Sequence, residues 1–215
     1  MSTLWSLFVH VLQAGIFSFS QFYGGSLGAA IVSFSLLARL ALLPLTVRVS
    51  RQSRAHARKL KLARPELARV GERWKEDPAR LLEETTATYG RHDLRVVDPS
   101  LLKGTLAQTP LALGLFQSIR GVLSMSGSGQ PFMWIKNLAG PDLGLAVLVA
   151  SLVGVGSIVG GAHDQPRWVL IVPMLATFLM LLKLSAGFGL YMGASALVSN
   201  LQTLIVRREE ARQLR

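Results

Sequence analysis

The chain has 215 residues, half of them hydrophobic, with a mean hydropathy of +0.40, no cysteine and a formal net charge of +11. Long uncharged runs at that hydropathy indicate a polytopic membrane protein, and the absence of cysteine excludes disulfides, thiolate metal sites and a lipid-modified cysteine anchor. His10, His56, His92 and His163 stand far apart, so no metal-ligand spacing exists and no metal or cofactor is expected.

Residues 1–23 form the first segment. LWSLFVHVLQAGIFSFSQFY is apolar but interrupted by His10, Gln13 and Gln21, and it lacks the basic start of a signal peptide. Leu4, Leu7, Phe8, Val11 and Leu12 fall at helical spacing, which predicts an amphipathic helix lying in the membrane interface. Its length also admits the alternative of a further span. Glycines at 24, 25 and 28 mark the bend into the first transmembrane helix, residues 24–47. That span, SLGAAIVSFSLLARLALLPLTV, carries Arg39 well in from either end. An arginine at mid-helix costs roughly 2.5–3.5 kcal/mol on insertion scales, so it is expected to face protein and water rather than lipid.

Beyond Val47 the character changes. From Arg48 to Arg95 there are thirteen Lys/Arg against seven Asp/Glu. Residues 48–98 read as a basic helical hairpin. Leu67, Val70 and Trp74 form an apolar stripe on its first arm, Asp77-Pro78 supplies the cap and first-turn proline of the second, and Gly90 is expected to end it. Asp98-Pro99 then begins the return to the membrane. Four apolar segments follow, at 100–123, 143–162, 168–183 and 184–206. A loop with Phe132 and Trp134 occupies 124–142, and a basic tail occupies 207–215. No lysine or arginine precedes Arg39, whereas the hairpin and tail are rich in both. The positive-inside rule therefore puts hairpin and tail in the cytoplasm and the N-terminus outside. The fold class is all-α: a five-transmembrane-helix core with an N-terminal interfacial helix and a cytoplasmic hairpin.

The order of motifs resembles the YidC family of membrane protein insertases, with its mitochondrial oxidase-assembly and chloroplast Albino relatives. LLARLALLPLTVR (36–48) is similar to the family's first core span, and ARPELARVGERWKEDPARLLEE to its hairpin. LAQTPLALGLFQSIRG is similar to its Gln-x-Pro second span. PFMWIKNLAGPD is similar to its Phe-x-Trp loop, and AGFGLYMGASALVSNLQ to its last span. The resemblance covers nearly all of the chain. It departs in the last span, where the family often reads Tyr-Trp-x-x-Ser-Asn and Tyr191 to Ala196 read YMGASA, and in a third span without glutamine.

The resemblance implies a groove open to the cytoplasm and to lipid, with Arg39 inside it, that takes short hydrophilic segments of nascent membrane proteins and releases their apolar segments into the bilayer. Spacing adds candidates for its lining: Ser35, one turn before Arg39; Tyr191, Ser195, Ser199 and Gln202 along one side of the last span; and Gln108 in the second. Polar groups in helix bundles also serve simply to bond neighbouring helices. For Arg39 that plainer role fits less well, since all twelve acidic residues lie outside the spans. Arg54, Arg58, Lys59, Lys61, Arg64, Arg69, Arg73 and Lys75 make the hairpin a docking candidate. The resemblance implies the ribosome or the signal recognition particle pathway as partners, with the Sec translocon and anionic lipids beside them. DNA is not expected.

A small channel or transporter using Arg39 as an anion site is the alternative, though no inverted repeat or second charged ring accompanies it. An enzyme is not expected: the spans hold no aspartate, and neither a His-Glu-x-x-His motif nor a phosphate-binding glycine loop occurs. A bacterial plasma membrane is the expected location.

Overall fold

The computed structural model describes residues 3–94, 99–127, 130–160 and 167–213. Among them are seven helices: α1 (Thr3–Phe22), α2 (Leu27–Arg73), α3 (Pro78–Arg91), α4 (Pro99–Met125), α5 (Leu143–Val159), α6 (Trp168–Leu181) and α7 (Ala186–Gln213). Three are long and apolar enough to cross a membrane by length and composition: Thr3–Phe22, Leu27–Arg73 and Ala186–Glu209. Helices α5 and α6 are apolar but shorter, at 17 and 14 residues. The chain divides into two compact units, one of residues 1–44 and 110–215 and one of residues 45–109.

In the first unit, Gly24 and Gly25 hold φ values of 60° and 93°, a left-handed pair that turns α1 into α2. The Asp142 carboxylate caps α5, accepting Leu145 N–H at 2.7 Å and Trp134 Nε1–H at 3.3 Å. Between α4 and α5 the chain builds a stitched cap. Phe132 and Ile135 exchange backbone hydrogen bonds of 2.9 Å, while Leu138 and Gly140 carbonyls accept from Gly187 and Ala186 at the start of α7. Phe132 lies over Gly28, where any Cβ would overlap its ring, so the start of α2 is held under the same cap. Ile16, Ile31, Leu115, Ile119, Ile135, Leu138 and Val149 form the most deeply buried part of the core. Apolar burial drives little association in lipid, so close packing and small residues must bring the helices together. Gly187, Gly189 and Gly193 do this for α7, seating Leu123, Leu145 and Val149 respectively.

Helix α1 meets α4 in an uneven pattern. Phe8 and Leu12, one turn apart, both land on Gly114, while the next column is spread along α4. There Trp5 Nε1 donates to Gln117 Oε1 at 3.0 Å, the Val9 carbonyl accepts from Ser118 Oγ at 3.1 Å, and Gln13 covers Gly121.

In the second unit, α3 begins as the sequence predicts, with the Asp77 carboxylate accepting Arg80 N–H at 3.2 Å and Pro78 in the first turn. Its end differs. Gly90 lies within the helix, which continues to Arg91, and the left-handed residue is Asp93 at φ 49°, with Leu94 N–H returning to the Tyr89 carbonyl at 2.8 Å. Aspartate is one of the few residues besides glycine that visit the left-handed region readily, and the Asp93 carboxylate lies 2.7 Å from the Lys59 ammonium in an exposed ion pair. The expected turn at Asp98-Pro99 lies partly outside the described residues; α4 starts at Pro99.

Candidate functional site

The polar candidates of the first unit are carried by α2 and α7, and the cap sets their register. Both helices start beneath it, and Ile31 faces Gly187 there. From that contact, one turn along each helix brings Ser35 on α2 and Tyr191 on α7. A second turn, about 12 Å from the start at 1.5 Å per residue, brings Arg39 and Ser195. Ser35 is 1% exposed and Ser195 8% exposed, and neither hydroxyl has a hydrogen-bonding partner among the described residues. Serines in helices ordinarily bond the carbonyl a turn back, as Ser118 does to Gly114 at 2.7 Å. A buried hydroxyl left without a partner costs about 1–3 kcal/mol. Arg39 is half-buried, with its Nε enclosed.

The remaining predicted residues are not all alike. Tyr191 is 3% exposed and belongs to the core, its ring 5.4 Å from Phe188, which in turn meets Phe116 edge-on at 5.0 Å. Ser199 is exposed and Gln202 half-buried, so the α7 stripe runs from the core to the surface. Gln108, half-buried, belongs to the other unit.

Two residues that spacing did not single out bond α7 to α5. Asn200 Nδ2 donates to the Leu152 carbonyl at 3.0 Å, and Arg207 Nη1 donates to the Val159 carbonyl at 2.7 Å. The available signal for Asn200 was the Ser199-Asn200 pair, which fits the Ser-Asn of the family pattern when that pattern is read four residues further on.

In the hairpin, Arg58, Lys59, Lys61, Arg64, Arg69, Arg73 and Lys75 are exposed and Arg54 is half-buried. Arg69 and Arg73 border a cleft of about 830 Å³ that is also lined by Glu66, Glu72, Trp74, Glu84 and Arg91. His92 Nε2 lies 2.8 Å from Glu66 Oε2, and Arg91 reaches Glu66 at 3.1 Å and Glu84 at 4.0 Å. The hydrogen bond from His92, with the nearby positive charge of Arg91, holds the Glu66 carboxyl below its ordinary value. Arg80 stacks over the Trp74 ring at 5.0 Å. Among the described residues no cluster of histidine and carboxylate side chains could hold a metal ion.

Comparison with known proteins identifies a family. The profile of the family described as 60Kd inner membrane protein matches residues 18–213. The chain is 26% identical over 201 residues to membrane protein insertase YidC 2 of Listeria monocytogenes, covering 88% of this chain and 71% of that protein. It is 26% identical to membrane protein insertase YidC of Clostridium tetani, covering 86% and 83%. With the YidC of Fusobacterium nucleatum it shares 24% identity over 98% of this chain and all of the relative.

Proposed function

We propose, for a chain that belongs to the 60Kd inner membrane protein family of YidC-type insertases, that it inserts nascent membrane proteins through a polar groove centred on Arg39. In this reading α2, α4, α5, α6 and α7 are the five spans. The hairpin and C-terminal tail face the cytoplasm, and α1 lies in the outer interface of a bacterial plasma membrane.

The observation that carries the groove is the pair of buried, unpartnered hydroxyls, Ser35 and Ser195, that lead to the level of Arg39. A guanidinium in a low-dielectric recess attracts the polar and acidic parts of an arriving segment much more strongly than it would in water. Ser35 and Ser195 offer that segment hydrogen bonds that water or lipid tails would otherwise have to provide. The barrier to moving a short hydrophilic stretch partway across the bilayer falls, and the apolar stretch behind it leaves into lipid by hydrophobic transfer. The membrane potential acts on any charges the segment carries. Ser199 and Gln202 extend the polar path along α7.

The hairpin presents Arg54, Arg58, Lys59, Lys61, Arg64, Arg69, Arg73 and Lys75 to an anionic partner. The ribosome, through its RNA phosphates, and a targeting factor fit that charge, and a Sec translocon is a further partner in the membrane.

The test uses the absence of native cysteine. Arg39→Cys and Gln202→Cys, both at half-buried positions, are treated in oriented membranes with a membrane-impermeant maleimide from one side at a time. Labelling from the cytoplasmic side alone is expected. Labelling from both sides would mean a pore, and an anion channel centred on Arg39 would replace the insertase reading. Failure to label from either side would remove the groove.

A further inference from the structure

The seam between α5 and α7 changes character along its length. On α5 the contacting positions are Leu145, Val149, Leu152, Gly156 and Val159, alternating steps of four and three that keep one face turned to the partner. Near the cap, Leu145 packs on Gly189 and Val149 on Gly193. Farther along, contact passes from side chains to backbone. Asn200 donates to the Leu152 carbonyl, Gly156 leaves the space that the Asn200 amide oxygen occupies, and Arg207 donates to the Val159 carbonyl. The two helices advance in the same direction, each contact on α5 matched by one farther along α7. Helix α5 carries Gly154 and Gly156 in its second half and Gly160 just beyond its end, where intrinsic helix strength is lowest. The residue that bonds across at that point is Asn200.

We propose that Asn200 is a positioning residue, which fixes the register and spacing of the second half of α5 against α7 so that the two present one continuous wall beside the groove. Gly156 is its counterpart, because any side chain there would evict the amide. The functional part of this inference rests on the insertase reading; the structural part does not.

Two experiments separate them. Spin labels at Val155→Cys and Leu204→Cys, both exposed positions, report the α5–α7 distance in nanodiscs. The wild-type chain is expected to give one narrow distribution, and Asn200→Ala a broader and longer one. Asn200→Ser, whose hydroxyl is too short to span the same gap, is expected to behave as Asn200→Ala and stands in for it should that variant not fold. Gly156→Ala is expected to broaden the distribution by itself and to add nothing once Asn200 is alanine. A distribution for Asn200→Ala or Asn200→Ser that superimposes on wild type overturns the proposal.

In proteoliposomes, insertion of a single-span substrate with a short hydrophilic tail is expected to slow about threefold in Asn200→Ala, the size of a typical intramembrane side-chain hydrogen bond. Altered distances with unaltered insertion would overturn the positioning role. Absence of insertion by the wild-type chain would instead sink the insertase reading, while the distances still decide the structural claim.

Discussion

Ile31 and Gly187 meet beneath the cap because Gly187 has no side chain. A Cβ there would stand 2.8 Å from Leu123 Cδ1, 3.2 Å from Ile119 Cγ2 and 3.4 Å from Ile31 Cδ1. The contact joins α2, α4 and α7. Gly187→Val is therefore expected to cost about 1–3 kcal/mol, as overpacked cores do. Thermal unfolding in detergent micelles should show a lowered midpoint. A midpoint equal to wild type would mean the helices are not seated as described.

Arg39 makes a second prediction. Arg39→Ala should reduce substrate insertion in proteoliposomes by about tenfold, equivalent to about 1.4 kcal/mol in the rate-limiting barrier. Arg39→Lys keeps the charge but not the planar fork, so it should retain part of the activity. If lysine and alanine prove equally impaired, shape rather than charge is what the site requires.

Asp142 caps α5 and receives Trp134 with the same oxygen. Asp142→Ala removes both bonds and is expected to destabilise the start of α5 by about 1 kcal/mol. Asp142→Asn, which keeps an accepting oxygen, should lose less. Hydrogen exchange at Leu145 reads this out directly, since its amide is the capped donor.

The hairpin should respond to pH through Glu66. Its folded carboxyl titrates below the ordinary value because His92 and Arg91 favour the ionised form. A group depressed on folding stabilises the fold above its unfolded value and loses that contribution as pH falls through the folded one. Exchange protection of residues 78–94, corrected for intrinsic rates, is expected to fall as pH drops through the acid side of the carboxylate range. Glu66→Gln should start with less protection at neutral pH and show a flatter profile. A parallel profile for the variant would assign the acid response to other carboxylates.

The placement of α1 is open to direct measurement. Thr3→Cys and Gln21→Cys, near its two ends and both exposed, should label with an impermeant maleimide from the outer side only. Labelling of Thr3→Cys from the cytoplasm would make α1 a further span.

The candidate site was only partly legible in the chain. Arg39 announced itself because a charge in an apolar run has few tolerable explanations. Ser35 and Ser195 were recoverable from helical spacing, since a stripe on one helix face is a property of the sequence. Tyr191 shared that stripe yet packs in the core, because spacing identifies a face and not the neighbour that covers it. Asn200 was missed for the same reason: its partner is a backbone carbonyl of α5, and carbonyls leave no mark in a sequence.

What the sequence determined by itself was the helical class, the order of elements, the basic hairpin with its Asp77-Pro78 start, and the motifs that carry the family. Each depends on local composition or period. Tertiary structure decided the contact of α2 with α7 at Ile31 and Gly187, the contact of α1 with α4, and the seam between α5 and α7. Those depend on which small residue admits which neighbour. Close packing, the main force joining helices in lipid, is a relation between surfaces, and it exists only once the surfaces have met.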